Sequence, residues 1–222
     1  MQAGYRQAIL SPRGYIVAYE TRQTRGAGVK RVCIAVKDGV RHFAFKICDK
    51  CPDDNPDHYQ RIESIQTTIP HMARMVGPIE DIVLLEEARG ILLWHLENRP
   101  DISLVESQLT EFALATKRND LINGDIRPWN VFFDDRDGVQ VIDWWCLSSF
   151  VSDLVGERPR RRDLIDGQGH YSKFHSDLVS QNRFTDIDLL DARLIGRLLR
   201  GEIDLSEAWH GHYHALGRFL WL

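Results

Sequence analysis

Three runs of alternating residues between positions 14 and 50 constrain this chain more than any other feature. "GYIVAYE", "VKRVCIAV" and "VRHFAFKI" place branched and aromatic residues at a period of two, the spacing of half-buried strands. "TRQTRGAG" separates the first two runs, and the pair Asp38-Gly39 turns the second into the third. After the polar loop "CDKCPDDNPD", Tyr59, Ile62, Ile65 and Ile69 recur at helical spacing until Pro70 closes the pattern. "IEDIVLLEEARGILLWHLE" reads as a hairpin that turns at Arg89-Gly90.

Beyond Pro100 the pattern changes. Ile102, Val105, Leu109 and Phe112 mark an amphipathic helix, and two short strands, "NVFFDD" and "GVQVIDW", follow through a turn at Asp137-Gly138. The clearest later element is "DLLDARLIGRLLRGE", apolar at Leu190, Leu194, Leu198 and Leu199. A strand-rich half over residues 1–97 therefore precedes a mainly helical half over residues 98–222.

The totals exclude several classes. With 43% hydrophobic and 27% charged residues in 222, the chain has a globular composition. A net charge of -4 argues against a dedicated nucleic-acid binder. No apolar run approaches the roughly 20 residues of a membrane helix, so no membrane insertion is expected. "MQAGYRQAIL" lacks the apolar stretch and cleavage site of a secretory signal, and a cytoplasmic location is expected. Cys48 and Cys51 form a CxxC without a matching second ligand pair nearby, which favours reduced thiols over zinc. His210 and His214 share a helical face that two metal ligands could use, although a solvated helix end is the simpler reading.

The chemistry concentrates in "LINGDIRPWN", residues 121–130, and in Asp143. A phosphoryl transfer needs an acceptor beside the attacking hydroxyl and oxygen ligands for magnesium. Asp125 suits the first task. Asn130, at the start of one strand, and Asp143, at the end of its partner, suit the second, because a hairpin brings the two together. Arg127 supplies positive charge for the migrating phosphoryl group.

"DLINGDIRPWNVFF" followed by "VQVIDWW" resembles the catalytic and metal-binding loops of the protein-kinase-like superfamily. Asp125, Arg127, Pro128, Asn130 and Asp143 match that family's order and spacing, and the likeness covers roughly residues 14 to 201. It implies an α+β, two-lobed fold: an antiparallel-sheet N-lobe with one main helix, and a reduced, mainly helical C-lobe. It also implies ATP and Mg2+ as cofactors. In "FAFKI", Lys46 then takes the phosphates and pairs with Glu63 on the following helix. Gly26 and Gly28 in "RGAGVK" stand where the family has its phosphate loop, and a plain hairpin turn accounts for them equally. "WHLEN" stands at the hinge, where main-chain groups of His95 and Glu97 would meet adenine. Asp188 or Asp191 opens a segment similar to the central helix of the kinase C-lobe.

Departures from the family pattern sharpen the expectation. Asn123 replaces the usual histidine, Gly124 replaces the arginine that anchors a phosphorylated activation loop, and Trp144-Trp145 replaces Phe-Gly. Gly124-Asp125 and "IDW" are closer to the aminoglycoside-type phosphotransferases. Only about one helix fits between Glu97 and Asp125, which favours an open face and a macromolecular substrate. Arg158, Arg160, Arg161 and Arg162 form a basic cluster that reads either as a solvated loop or as the dock for an acidic or phosphorylated protein substrate. The expectation is a minimal protein kinase acting on serine or threonine ahead of tyrosine. Its compactness resembles the kinases that bacterial pathogens deliver into a host cytoplasm. The alternatives are a small-molecule phosphotransferase and a catalytically dead binding module. No oligomeric state follows from the sequence.

Overall fold

The structure, a computed structural model, describes residues 2–24, 28–47, 56–124, 126–142, 149–150, 173–181 and 183–209. It is a mixed α+β chain that divides into two compact units, Met1–Thr68 with Ala73–Ala88, and Ile69–Met72 with Arg89–Leu222.

The first unit is built on the three alternating runs. Strands β1 (Ile16–Thr24), β2 (Gly28–Lys37) and β3 (Val40–Lys46) form an antiparallel meander. Asp38 and Gly39 both lie at positive φ, 51° and 79°, the geometry that matches hairpin twist. The β1–β2 ladder continues to Thr24↔Gly28, so most of the expected separator "TRQTRGAG" is strand. Two further strands, β4 (Met75–Ile79) and β5 (Ile82–Glu86), complete a five-stranded sheet in the order β1-β2-β3-β5-β4. The second hairpin thus turns at Glu80-Asp81 rather than at the expected Arg89-Gly90. Glu80 carries the positive φ there, 57°, without a glycine to announce it.

Two helices flank this sheet in sequence. Helix α1 (Gln2–Leu10) packs Ile9 and Leu10 onto the face made by Cys33, Ala35, Ala44, Ile82 and Leu84. Leu10 is fully buried, which stabilises this contact by roughly 1.5–3 kcal/mol. Helix α2 (Pro56–Ile65) buries Tyr59 and Ile62 and lies against β4, as its spacing predicts.

In the second unit, β6 (Ile91–Leu92), β8 (Val131–Asp134) and β9 (Gly138–Val141) form a three-stranded sheet. Ile91 pairs with Phe133 rather than with β5, so the division falls after Ala88, upstream of the change in sequence character near residue 97. The strands β7 (Leu121–Ile122) and β10 (Ser149–Phe150) pair separately. Helix α3 (Ile102–Arg118) starts at Asp101, whose carboxylate accepts the Leu104 N–H at 3.1 Å. Its apolar face, Val105, Leu109 and Phe112, is buried, and α3 packs on α5 (Ile187–Leu199). Helices α4 (Lys173–Ser180) and the single turn α6 (Leu205–Ala208) flank α5 in sequence. Among the described residues, no helix is long and apolar enough to cross a membrane.

Candidate active site

The loop around position 125 is held from helix α5. Asp188, 3% exposed in the first turn of that helix, accepts the N–H of Asn123 at 2.9 Å on Oδ2 and of Gly124 at 2.8 Å on Oδ1. The Thr116 hydroxyl donates to Oδ2 at 3.0 Å. Burial pushes the Asp188 carboxyl up to about 6, while the two backbone N–H groups pull it back down. One side chain therefore fixes two consecutive peptide units immediately ahead of Asp125. Gly124 sits at φ 73°, a left-handed conformation that a residue with a Cβ adopts at a cost, so the family's arginine is disfavoured there by backbone geometry alone. Asp125 itself lies outside the described residues.

The other side of the loop is equally constrained. The Asn130 N–H donates to the Arg127 carbonyl at 2.8 Å, and the Trp94 N–H to the Pro128 carbonyl at 3.1 Å. The Trp129 ring meets Trp94 and Trp209 edge-on, each with centroids 6.2 Å apart. Arg127 is buried, and its guanidinium carbon lies 5.7 Å from the Trp129 ring. Asn130 is buried at the entrance to β8, where its carbonyl accepts the Ile142 N–H at 2.9 Å. The register Val131↔Val141 puts Asn130 opposite Ile142, the residue before Asp143. The expected hairpin is present on its described residues, and Asp143 lies outside them.

Lys46 ends β3 on the face that α1 covers, paired in register with Ile82. Its ammonium lies 3.4 Å from Asp81 Oδ2 and 5.6 Å from the centre of the Tyr5 ring of α1. Tyr5 in turn donates to Asp81 at 2.7 Å. The Glu63 carboxylate accepts the Gly77 N–H at 3.2 Å, and among the described ion pairs none joins Lys46 to Glu63. Asp81, which brings its carboxylate to the same height as Lys46 through the β4–β5 turn, had no signal in the sequence. Gly28 pairs with Thr24 in the ladder and so belongs to a strand, while Gly26 lies outside the described residues.

His95 and Glu97, in the second unit, are both exposed, and His95 closes a one-turn 3-10 helix, Leu93–His95. Cys48, Cys51, Cys146, the cluster Arg158–Arg162, His210 and His214 lie outside the described residues. His175 and Trp209 escaped sequence reasoning, and Asp191 entered it only as a candidate start of the α5 segment. His175, Asp191 and Trp209 are each fully buried, and Asp191 Oδ1 accepts from His175 Nε2 at 2.8 Å and from Trp209 Nε1 at 3.1 Å. Nothing in their sequence separation marks them as one group. Neither a protein-family model nor a curated protein sequence matches the chain.

Proposed function

We propose that this chain is an ATP- and magnesium-dependent phosphotransferase with a two-lobed, protein-kinase-like fold, a minimal protein kinase for serine or threonine hydroxyls. The observation that carries the reading is the Asp188 anchor, which spends a buried carboxylate on the two peptide N–H groups preceding Asp125. A solvated turn has no need of a buried ionisable clamp. Fixing that segment orients a catalytic side chain to the tolerance that proton transfer requires.

In this reading Asp125 accepts the proton of the attacking hydroxyl and Arg127 supplies positive charge next to it. Asn130 and Asp143, an amide oxygen and a carboxylate, are hard donors that suit magnesium, which when bound screens the phosphate charge. Lys46 binds the α- and β-phosphates, with Glu63 as its partner in the family pattern. The structure gives Asp81 the place beside Lys46, so Asp81 is the better candidate to set the lysine's position in this chain. Gly26 is assigned to the turn over the phosphates, with Gly28 at the first ladder pair beside that turn, and backbone groups of His95 and Glu97 to adenine.

A protein acceptor is favoured because α3, Ile102–Arg118, fills most of the span between Glu97 and Asp125, leaving no room there for the helical insertion that walls a small-molecule pocket. The basic cluster Arg158–Arg162 would dock such a substrate. A small-molecule acceptor is the second reading, supported by the resemblance of Gly124-Asp125 and "IDW" to the pattern of those enzymes. The deciding experiment is mass spectrometry after incubation with ATP, magnesium, a lysate and a panel of hydroxylated small molecules. A phosphorylated protein supports the first reading and a phosphorylated small molecule the second. Unmodified acceptors, with no ATP consumed, would leave a catalytically dead binding module.

A further inference from the structure

Helix α5 carries a second buried carboxylate, Asp191, one turn beyond Asp188 and therefore on the same side of the helix. Like charges at that spacing repel, and a buried carboxylate is costly unless its bonds have a purpose. Asp188 holds the peptide units of Asn123 and Gly124. Asp191 holds the indole N–H of Trp209 at 3.1 Å and His175 at 2.8 Å, and the Trp209 ring stands edge-on to Trp129. Trp129 lies between Pro128, whose carbonyl accepts the Trp94 N–H, and Asn130, whose N–H closes onto Arg127. The two carboxylates thus address opposite ends of one loop.

The geometry points to Asp191 and Trp209 as positioning residues. The buried chain His175–Asp191–Trp209 sets the place of the Trp129 ring, and through it the Arg127–Asn130 segment that carries Asn130. Trp209 is suited to this because its backbone and its side chain are both tied: its N–H donates to Leu205 at 2.9 Å, and its Nε1 donates to Asp191. Its indole can swing only if one of these bonds breaks. Trp94 also meets Trp129 at 6.2 Å, so the ring contacts two tryptophans in T-shaped arrangements. Asp188 fixes where the loop begins and Asp191 fixes where it ends, both from a single rigid helix.

The test is residue-resolved hydrogen exchange on the full chain, comparing wild type with Trp209→Leu and Trp209→Phe. Four amides report: Trp94 and Asn130 at the far end of the loop, Asn123 and Gly124 at the Asp188 end. Removing the ring in Trp209→Leu is expected to speed Trp94 and Asn130 by at least tenfold while Asn123 and Gly124 stay within twofold. Trp209→Phe keeps a ring but loses the donor to Asp191, and is expected to speed the same two amides by about threefold. If all four amides accelerate together, Trp209 is a general packing residue and the proposal is wrong. If none changes in Trp209→Phe, and Trp209→Leu behaves alike or fails to fold, it is equally wrong.

An enzymatic arm rests on the phosphotransfer reading: Trp209→Phe should raise the magnesium concentration for half-maximal rate about fivefold, because Asn130 sits on the displaced segment. A wild-type chain that transfers no phosphate overturns that reading alone, and the exchange arm still decides the positioning role.

Discussion

Replacing Asp188 by asparagine probes the anchor of the loop, and its effect should depend on pH in a defined direction. Each carboxylate oxygen has its own N–H to accept, Asn123 on Oδ2 and Gly124 on Oδ1. An asparagine offers one oxygen and turns an NH2 group toward the other N–H, leaving a buried donor unmatched at a cost of about 1–3 kcal/mol. The wild-type carboxyl carries a separate, pH-dependent contribution. Its folded value is pushed from 3.8 up to about 6, chiefly by burial, so the native state binds the proton more tightly than the unfolded chain. That contribution stabilises fully below about pH 3.8 and is lost as pH rises through about 6. Its full size is about 3 kcal/mol, of which about 2 kcal/mol falls between pH 4.5 and 7.5. Asparagine does not titrate, so the loss of stability in Asp188→Asn should be about 2 kcal/mol larger at pH 4.5 than at pH 7.5. Urea unfolding followed by tryptophan fluorescence suits the measurement, since the first unit's sequence contains no tryptophan and the signal reports on the second unit. A loss equal at the two pH values, or larger at pH 7.5, would refute the account of Asp188 as a buried carboxyl whose proton affinity is raised by folding.

Three further outcomes follow from the packing and the assigned chemistry. Leu10→Ala removes a fully buried side chain from the α1–sheet contact and should cost about 2–5 kcal/mol, read from hydrogen exchange of β2 and β3 amides; a loss under about 1 kcal/mol would mean that α1 is not part of this core. Gly90→Ala drives a Cβ into the Phe133 carbonyl oxygen at a φ of 82°, so the β6–β8 pair should open and the Ile91 and Phe133 amides exchange faster. ATP with magnesium should raise the melting temperature well above that seen with ATP and a chelator, and Asp143→Ala should abolish the difference.

The first unit was legible where residue choice follows backbone demand. The period-two runs and Asp38-Gly39 announce β1 to β3 because alternation and a left-handed turn leave a mark on the sequence. The β4–β5 hairpin left none: Gly77-Pro78 interrupts β4 and reads as a breaker, Glu80 turns the chain without glycine, and Arg89-Gly90 mimics a hairpin that pairs with β8 instead. At the candidate site, the hairpin joining Asn130 to Asp143 was readable from two short alternating runs and their turn, and it is seen as far as Ile142. The contacts made by the side chains that support this region were not. Asp188 acts on backbone N–H groups, which every residue possesses, so its partners at positions 123 and 124 carry no side-chain signature. Asp191, His175 and Trp209 converge through tertiary packing from α5, α4 and the end of α6. Asp81 reaches Lys46 through the turn that sequence reasoning misplaced, whereas the pairing of Lys46 with Glu63 rests on the family resemblance alone.

The measurement that bears most directly on the assigned activity is transfer of labelled γ-phosphate by wild type and Asp125→Ala, alongside ATP binding by both. Asp125 is assigned to the attacking hydroxyl and not to the nucleotide, so the variant should bind ATP and magnesium within a few-fold of wild type while its transfer rate falls by at least about a hundredfold. Transfer by Asp125→Ala at the wild-type rate would contradict the assignment of the base, and magnesium-independent ATP binding without transfer by the wild-type chain would contradict the phosphotransferase itself.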